Sequence, residues 1–251
     1  MVTRPSFIID ADWKLLKEKY KGDKKLERII KKIENNYPIQ YLIGYVDFYK
    51  NKIFVNKNVL IPRFETELLV DKLIKYIAKY EFKNPDILDL CTGSGCIAIS
   101  LKNGVEGARV FAIDKSFKAL RIAKKNARKN RVRIGFKRQD ILKNINVNNN
   151  FSIIVSNPPY VKLDEEVSLN TRFEPNMALY PGKDDLVFYK KILDKSSDIL
   201  YNKNIIAFEI GSTQAKEICK YASKLYPKAK IEVEQDYNGY DRFIFIFNNC
   251  E

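Results

Sequence analysis

Apolar residues in the first part of the chain recur at helical spacing. Trp13, Leu15, Leu16, Tyr20, Leu26, Ile29, Ile30 and Ile33 follow a 3.6-residue repeat that breaks at Gly22-Asp23. Two short helices are predicted within 11–36, with Pro38 ending the segment. Between Tyr45 and Val55 the pattern changes. Val46, Phe48 and Tyr49 precede Lys50-Asn51-Lys52, and Ile53, Phe54 and Val55 follow, which predicts a hairpin. Past Pro62-Arg63, the run Glu67-Leu68-Leu69-Val70 starts a helix that reaches about Tyr80.

Strands and helices then alternate. Strands are predicted at Ile87–Leu90, Arg109–Ile113, Arg131–Phe136, Phe151–Val155, Ile205–Ile210, Ile231–Glu234 and Phe243–Phe247, and helices at 96–103, 116–130, 184–200 and 213–225. Such alternation implies a parallel sheet covered on both faces. No helix-length gap separates the last two strands, and Asn238-Gly239 supplies a turn, so the final strand is expected to run antiparallel. Asn148–Asn150 reads as a loop. The expected fold is α/β, a Rossmann-like seven-stranded sheet of the class I methyltransferase type.

With 251 residues, the chain can form one full α/β domain and a small appendage. A hydrophobic fraction of 45% and a charged fraction of 30% describe a soluble globular protein. No apolar run approaches the roughly 18 residues that span a bilayer. Arg4, Pro5 and Asp10 break up the N-terminus, so no secretory signal is read and a cytoplasmic location is expected. Histidine is absent, which excludes Ser-His-Asp and Cys-His nucleophilic systems and His-ligated metals. Cysteines at 91, 96, 219 and 250 form no CxxC pair, so no metal site is expected, and Cys96 and Cys219 read as core residues. The net charge of +14 favours an anionic partner: nucleic acid, the ribosome or an acidic protein. The abundance of lysine and asparagine reads equally as a compositional bias of the source.

Candidate chemistry sits at strand ends. The first sheet strand runs into Asp89-Leu90-Cys91-Thr92-Gly93-Ser94-Gly95, and a helix follows at once. Gly93 and Gly95 permit a sharp turn and close approach of a ligand, and the helix N-terminus favours an anionic group. Asp114 ends the second strand 19 residues after Gly95, where a carboxylate can accept both ribose hydroxyls. Asp140 follows the third strand, near where an adenine would lie. Together these favour S-adenosylmethionine over NAD as the cofactor. Asn157-Pro158-Pro159-Tyr160 closes the apolar run Phe151–Ser156. Two prolines make a stiff loop with free carbonyls. Asn157 and a loop carbonyl can then accept the hydrogens of a planar NH2 group while Tyr160 covers its face.

Across roughly Pro38 to the C-terminus the chain resembles the peptide chain release factor glutamine methyltransferases, the PrmC/HemK family. Pro38–Gly44 and Leu60-Ile61-Pro62-Arg63-Phe64-Glu65-Thr66-Glu67 resemble its entry segment and P-R-P-E-T-E motif. Asp89–Gly95 matches D-L-G-T-G-T-G, Asn157–Tyr160 matches N-P-P-Y, Glu174–Leu179 matches E-P-x-x-A-L, and Asp236–Arg242 resembles D-x-x-G-x-x-R. Cys91 stands where the family has glycine, and Phe64 where it has the second proline. The resemblance implies methyl transfer from S-adenosylmethionine to the glutamine of a release factor's Gly-Gly-Gln loop, with release factors as partners. It assigns the methyl-acceptor site to Asn157, Pro158 and Tyr160, and the cofactor site to Asp89, Cys91, Thr92, Gly93, Ser94, Gly95, Asp114, Asp140 and Asn157. Pro159, Arg63, Glu65 and Glu174 are expected to shape the substrate pocket. The implied organisation is a helical region over 1–40, shorter than the family's helical domain, a hairpin linker over 41–62 and a methyltransferase domain over 63–251. The rival reading is an N6-adenine methyltransferase acting on DNA or RNA, which would use Asn157–Tyr160 on a flipped base.

Overall fold

In the computed structural model, which describes residues 2–148 and 150–250, the helical spacing near the N-terminus becomes α1 (Asp10–Lys19) and α2 (Asp23–Glu34), separated by Gly22 at φ +98°. Asn149, within the asparagine run read as a loop, lies outside the described residues. Trp13, Leu16, Leu26 and Ile29 pack on Leu42 and Ile43 of a third helix, α3 (Ile39–Ile43). Its last carbonyls lack helical partners, and α1 supplies them: Lys19 Nζ donates to Leu42 and Ile43 at 2.8 and 2.9 Å, and the Tyr20 hydroxyl donates to Leu42 at 2.9 Å. The periodicity does not anticipate α3, which is only five residues long.

The hairpin pairs β1 (Tyr45–Phe48) with β2 (Asn51–Phe54), opposing Phe48 to Asn51. Its turn is Tyr49-Lys50, both at positive φ, one residue earlier than the Lys50–Lys52 break in the pattern. Asn51 belongs to the strand because its amide is buried, donating to the Ser100 hydroxyl at 3.1 Å. The next helix, α4 (Phe64–Lys79), begins three residues before the expected Glu67.

The main sheet contains β3 (Asp86–Leu90), β4 (Arg109–Asp114), β5 (Gly135–Arg138), β6 (Phe151–Ser156), β7 (Leu200–Glu209), β8 (Lys230–Gln235) and β9 (Asp241–Asn248), in the order β5-β4-β3-β6-β7-β9-β8. β9 is antiparallel to both neighbours, as expected of the final strand. Period-two alternation divides the strand residues between two cores. Ile87, Ile153, Val155, Ile205, Ala207 and Phe245 face α4, α5 (Cys96–Gly104) and α6 (Phe117–Lys129). Leu88, Leu90, Ile154, Ile206, Phe208 and Ile244 join the opposite core with Tyr189, Ile192 and Ile218. These last three lie on α8 (Val187–Ile199) and α9 (Ala215–Leu225); a short helix, α7 (Asn176–Leu179), precedes α8.

The third predicted strand, Arg131–Phe136, is displaced: β5 begins at Gly135. Arg131 has φ +58° and the Val132 N–H returns to the Ala127 carbonyl, so these residues cap α6 instead. A Cβ at Gly135 would lie 2.6 Å from the Phe111 ring, so the residue paired with Phe111 is one without a side chain, and the ladder continues from there through Phe136, Lys137 and Arg138.

The chain leaves β3 toward β4 and β5 on one side and returns through β6 and β7 on the other. Strand order therefore reverses between β3 and β6, where open α/β sheets bind ligands.

Candidate active site

Leu90 of β3 lies opposite Ser156 of β6, so the loops after both strands open into one crevice. Cys91, Thr92, Gly93 and Ser94 form one wall; Asp114, Lys115 and Ser116 follow β4; Gln139, Asp140, Ile141 and Leu142 follow β5; Asn157 and Pro159 follow β6. Val59, Leu60, Pro62 and Thr66 close it from the hairpin side, and Met177, Tyr180 and Phe188 from the other.

Backbone geometry builds the β3 end. Cys91, Gly93 and Gly95 all have positive φ, +62°, +55° and +83°. The two glycines do different work. A Cβ on Gly95 would sit 3.1 Å from Ala123 Cβ, so this glycine lets the loop rest on α6; a Cβ on Gly93 would meet nothing nearer than 4.0 Å, so the space over it is open. Asp114 holds the loop in place, Oδ2 accepting from the Gly93 N–H at 2.8 Å and Oδ1 from the Ser116 N–H at 2.7 Å. Burial raises the pKa of Asp114, and these two N–H groups offset part of the rise. The helix cap is Ser116, whose hydroxyl accepts from the Ala119 N–H, and not Asp114.

Asp89 lies beneath the loop, fully buried, with Oδ2 accepting from the Thr92 hydroxyl at 2.5 Å and Oδ1 unpartnered. Burial pushes its pKa up to about 7. Gln139 Oε1 is a second buried acceptor without a partner. Asp140 pairs with Lys115 at 2.9 Å. Partial burial opposes the charge, yet the Lys115 contact and the Leu142 N–H hold this carboxyl below its ordinary range.

The β6 end is assembled from distant segments. Asn157 Nδ2 donates to Thr66 Oγ1 at 3.1 Å, the Thr66 hydroxyl donates to Glu209 Oε2 at 2.7 Å, and the Tyr160 hydroxyl donates to Glu209 Oε1 at 3.2 Å. Asn157 Oδ1 accepts no hydrogen bond from the described residues. Glu209 is buried at the end of β7, and burial pushes its pKa up to about 7, against the pull of Thr66, Tyr160 and the Arg242 charge. Burial, with Glu209 alongside, raises the Tyr160 phenol, which stays protonated and donates.

Of the residues singled out from sequence, Cys91, Thr92, Gly93, Ser94, Asp114, Asp140, Asn157 and Pro159 line the crevice. Asp89, Gly95, Pro158 and Tyr160 are not part of that lining, and Tyr160 borders a separate cleft with Lys162 and Gly211. Arg63 and Glu174 bind each other at 2.5 Å, and Glu174 also accepts from the Ile61 N–H at 3.0 Å, joining the entry segment to the loop before α7. Glu65 is half-buried on α4, and its charge reaches Glu209. Sequence reasoning gave no role to Thr66, Gln139 or Glu209. A carboxylate ending the apolar run Ile205–Phe208 was the available signal for Glu209.

Residues 63–174 match the methyltransferase small domain family. The fold is shared with a methyltransferase from Pyrococcus furiosus, at a TM-score of 0.58 and 16% identity over 88% of this chain and 98% of that one. Sheet order, switch-point crevice and family match together define a class I, S-adenosylmethionine-dependent methyltransferase. A release factor glutamine methyltransferase from Flavobacterium psychrophilum is 42% identical over 87% of this chain and 78% of its own length. One from Bacillus cereus is 34% identical over 89% and 81%. The chain belongs to the release factor glutamine methyltransferase family.

Proposed function

We propose that this chain methylates the side-chain amide nitrogen of the Gly-Gly-Gln glutamine of a peptide chain release factor, binding S-adenosylmethionine at the β3 end of the crevice and the glutamine at the Asn157 end. The cofactor's ammonium, ribose hydroxyls and adenine amine are all donors. The residues present fit such a group: Asp114 and Asp140 line this end, and Gln139, which lines it too, has its Oε1 buried without a partner. When bound, S-adenosylmethionine supplies an electrophilic methyl group on a sulfonium.

The observation that carries the reading is the polarity of Asn157. Its NH2 group is engaged by Thr66, which leaves Oδ1 to accept from a ligand. A glutamine amide is a poor nucleophile because its lone pair is delocalised. With Asn157 Oδ1 and the Pro158 carbonyl accepting its two N–H bonds, charge developing on nitrogen is stabilised and the lone pair is oriented, so catalysis is mostly positioning plus fixed dipoles. No helix among the described residues is long and apolar enough to cross a membrane. A substrate that acts in translation supports a cytoplasmic location.

Incubation with S-adenosylmethionine and a purified release factor, followed by peptide mass spectrometry, should find one added methyl on that glutamine and none on a Gln→Ala substrate. Labelling of adenine in an oligonucleotide offered alongside, with the release factor unmodified, would reverse the assignment.

A further inference from the structure

We infer that Glu209 and Thr66 are positioning residues that set which end of the Asn157 amide faces the methyl acceptor; the inference rests on the amide-clamp reading above. A threonine hydroxyl carries one proton. When Glu209 is ionised it takes that proton, and Thr66 can offer Asn157 only a lone pair. The amide must then turn its NH2 toward Thr66 and its oxygen toward the crevice, as observed. A protonated or neutral group at 209 can itself donate to Thr66. The hydroxyl proton is then free for Asn157 Oδ1, and the inverted amide presents a donor to a substrate that needs acceptors. The groups facing Glu209 come from five elements: Thr66 and Glu65 on α4, Cys96 on α5, Tyr160 after β6, Arg242 on β9 and the Tyr189 hydroxyl of α8, which donates to the Glu209 backbone carbonyl at 3.0 Å.

Steady-state kinetics on a release factor, with cofactor affinity measured by calorimetry, test this on Glu209→Gln, Thr66→Val, Thr66→Ser and Asn157→Ala. Glu209→Gln and Thr66→Val should each lower kcat by about tenfold or more, as expected when an oriented polar group is lost, with KM and cofactor affinity little changed. Thr66→Ser should retain most of the rate. The wild-type kcat should fall as pH drops from 8 to 6, and Glu209→Gln should lose that acid limb. A Glu209→Gln enzyme with wild-type kcat and an intact acid limb, beside an inactive Asn157→Ala, overturns the positioning role alone. An active Asn157→Ala overturns the clamp reading beneath it.

The distribution of charge independently points to an interaction surface. Residues 115–139 contain eleven Lys and Arg and no Asp or Glu, leaving 34 cations and 31 anions on the other 226 residues. A lysine-rich composition would spread its excess; here most of it lies in this one segment, eight of the eleven cations on α6 and β5. All eleven are exposed, and among the described residues only Lys115 is in an ion pair. Lys118, Arg121, Lys125 and Arg128 fall at helical spacing along the outer face of α6, opposite the buried Ala119, Ile122, Ala123 and Ala127. Phe117, 59% exposed, stands at the end of this stripe beside the crevice.

We propose that this face binds single-stranded RNA, with phosphates along the stripe and a base stacked on Phe117. Protein–protein interfaces are depleted in lysine whereas nucleic-acid interfaces are strongly positive, and an exposed aromatic within a basic track suits an unpaired base. Unpaired nucleic acid in a cell is chiefly RNA. Fluorescence anisotropy should compare a labelled single-stranded RNA with duplex DNA and polyglutamate. RNA should bind most tightly. The triple variant Lys118→Glu, Arg121→Glu, Arg128→Glu should reduce the salt slope by about 2, at roughly 0.7 per cation. Phe117→Ala should weaken RNA binding by about fivefold or more, the scale of one stacked base, and leave the methylation rate on free release factor unchanged. Equal or tighter binding of polyglutamate or duplex DNA, or RNA binding indifferent to both variants, overturns the assignment.

Discussion

The two ends of the crevice are built in opposite ways. At the β3 end, seven consecutive residues, Asp89–Gly95, make a loop whose shape is fixed by backbone dihedrals and two carboxylates, Asp114 and the segment's own Asp89. At the β6 end, Asn157 is oriented by side chains from α4 and β7, in a chain of hydrogen bonds through Thr66 and Glu209. A local loop tolerates change in what surrounds it. An assembled network fails when any one member is lost. The β3 end should therefore respond to mutation through cofactor affinity, and the β6 end through rate.

The largest expected effect is at the assembled end. Asn157→Ala should lower kcat by roughly 10²-fold or more, the cost of losing one oriented polar group at a reacting centre, with cofactor affinity close to wild type. A folded variant with near-normal turnover would mean that the two ends do not divide the work in this way.

Both ends bury a carboxyl whose pKa is pushed up to about 7, Asp89 and Glu209. Each holds its proton to higher pH in the folded chain than in the unfolded one. The stability each contributes is complete below the ordinary carboxylate range, near pH 4, and is lost as pH rises through about 7. Without cofactor, the protein should be harder to denature with urea at pH 5 than at pH 8. Asp89→Asn and Glu209→Gln should each narrow the gap by on the order of 1–3 kcal/mol, and a gap of unchanged width in both would remove the shifts. Activity separates the pair: acid stabilises the fold through Glu209 while removing the ionised form that orients Asn157.

A smaller loss is expected on the local side. Asp114→Ala should weaken S-adenosylmethionine binding by about 1–3 kcal/mol, the scale of a hydrogen bond to a charged group, while kcat at saturating cofactor stays near wild type. Calorimetry checks the first and saturation kinetics the second; a fall in kcat with unchanged affinity would invert the contrast.

The same division explains what could be read from the sequence. Asp89–Gly95 and Asp114 announce themselves by order and spacing, and alternation in the strands foretold the sheet and its antiparallel end. Thr66 and Glu209 are 143 positions apart and meet only because β7 lies beside β6 and α4 packs across the sheet. Neither carries a spacing signal, since a glutamate after Ile205–Phe208 reads equally as a solvated strand end. The link between Arg63 and Glu174 was hidden likewise, within a segment whose 3-10 turn (Leu169–Phe173) and α7 are too short for periodicity to register. The +14 net charge pointed to an anionic partner and the acid-free run over 115–139 is legible in the sequence, but that its cations stand exposed, along one face of α6 and beyond it to β5, required the fold.

The smallest effect concerns Cys91 and tests whether the β3 loop is governed by backbone geometry alone. At φ +62° a residue with a Cβ is strained by roughly 1–2 kcal/mol, which is why glycine suits the position and why a cysteine there is a departure from the family motif. Burial raises the thiol's pKa well above its ordinary value, with Asp114 and Asp89 adding to the effect, so it stays neutral and acts as a small apolar group against the β3–β6 core. Cys91→Gly relieves the strain but gives up those contacts and adds freedom to the unfolded chain, so its net stability should lie within about 1 kcal/mol of wild type. Cys91→Ala gives up the same sulfur and keeps the Cβ. Comparing the two variants isolates the backbone: glycine should be the more stable by about 1 kcal/mol in urea denaturation, since relief of the strain outweighs glycine's entropic cost. An alanine variant as stable as the glycine one would mean that side-chain packing also shapes the loop, and the two ends of the crevice would then differ less than their dihedrals indicate.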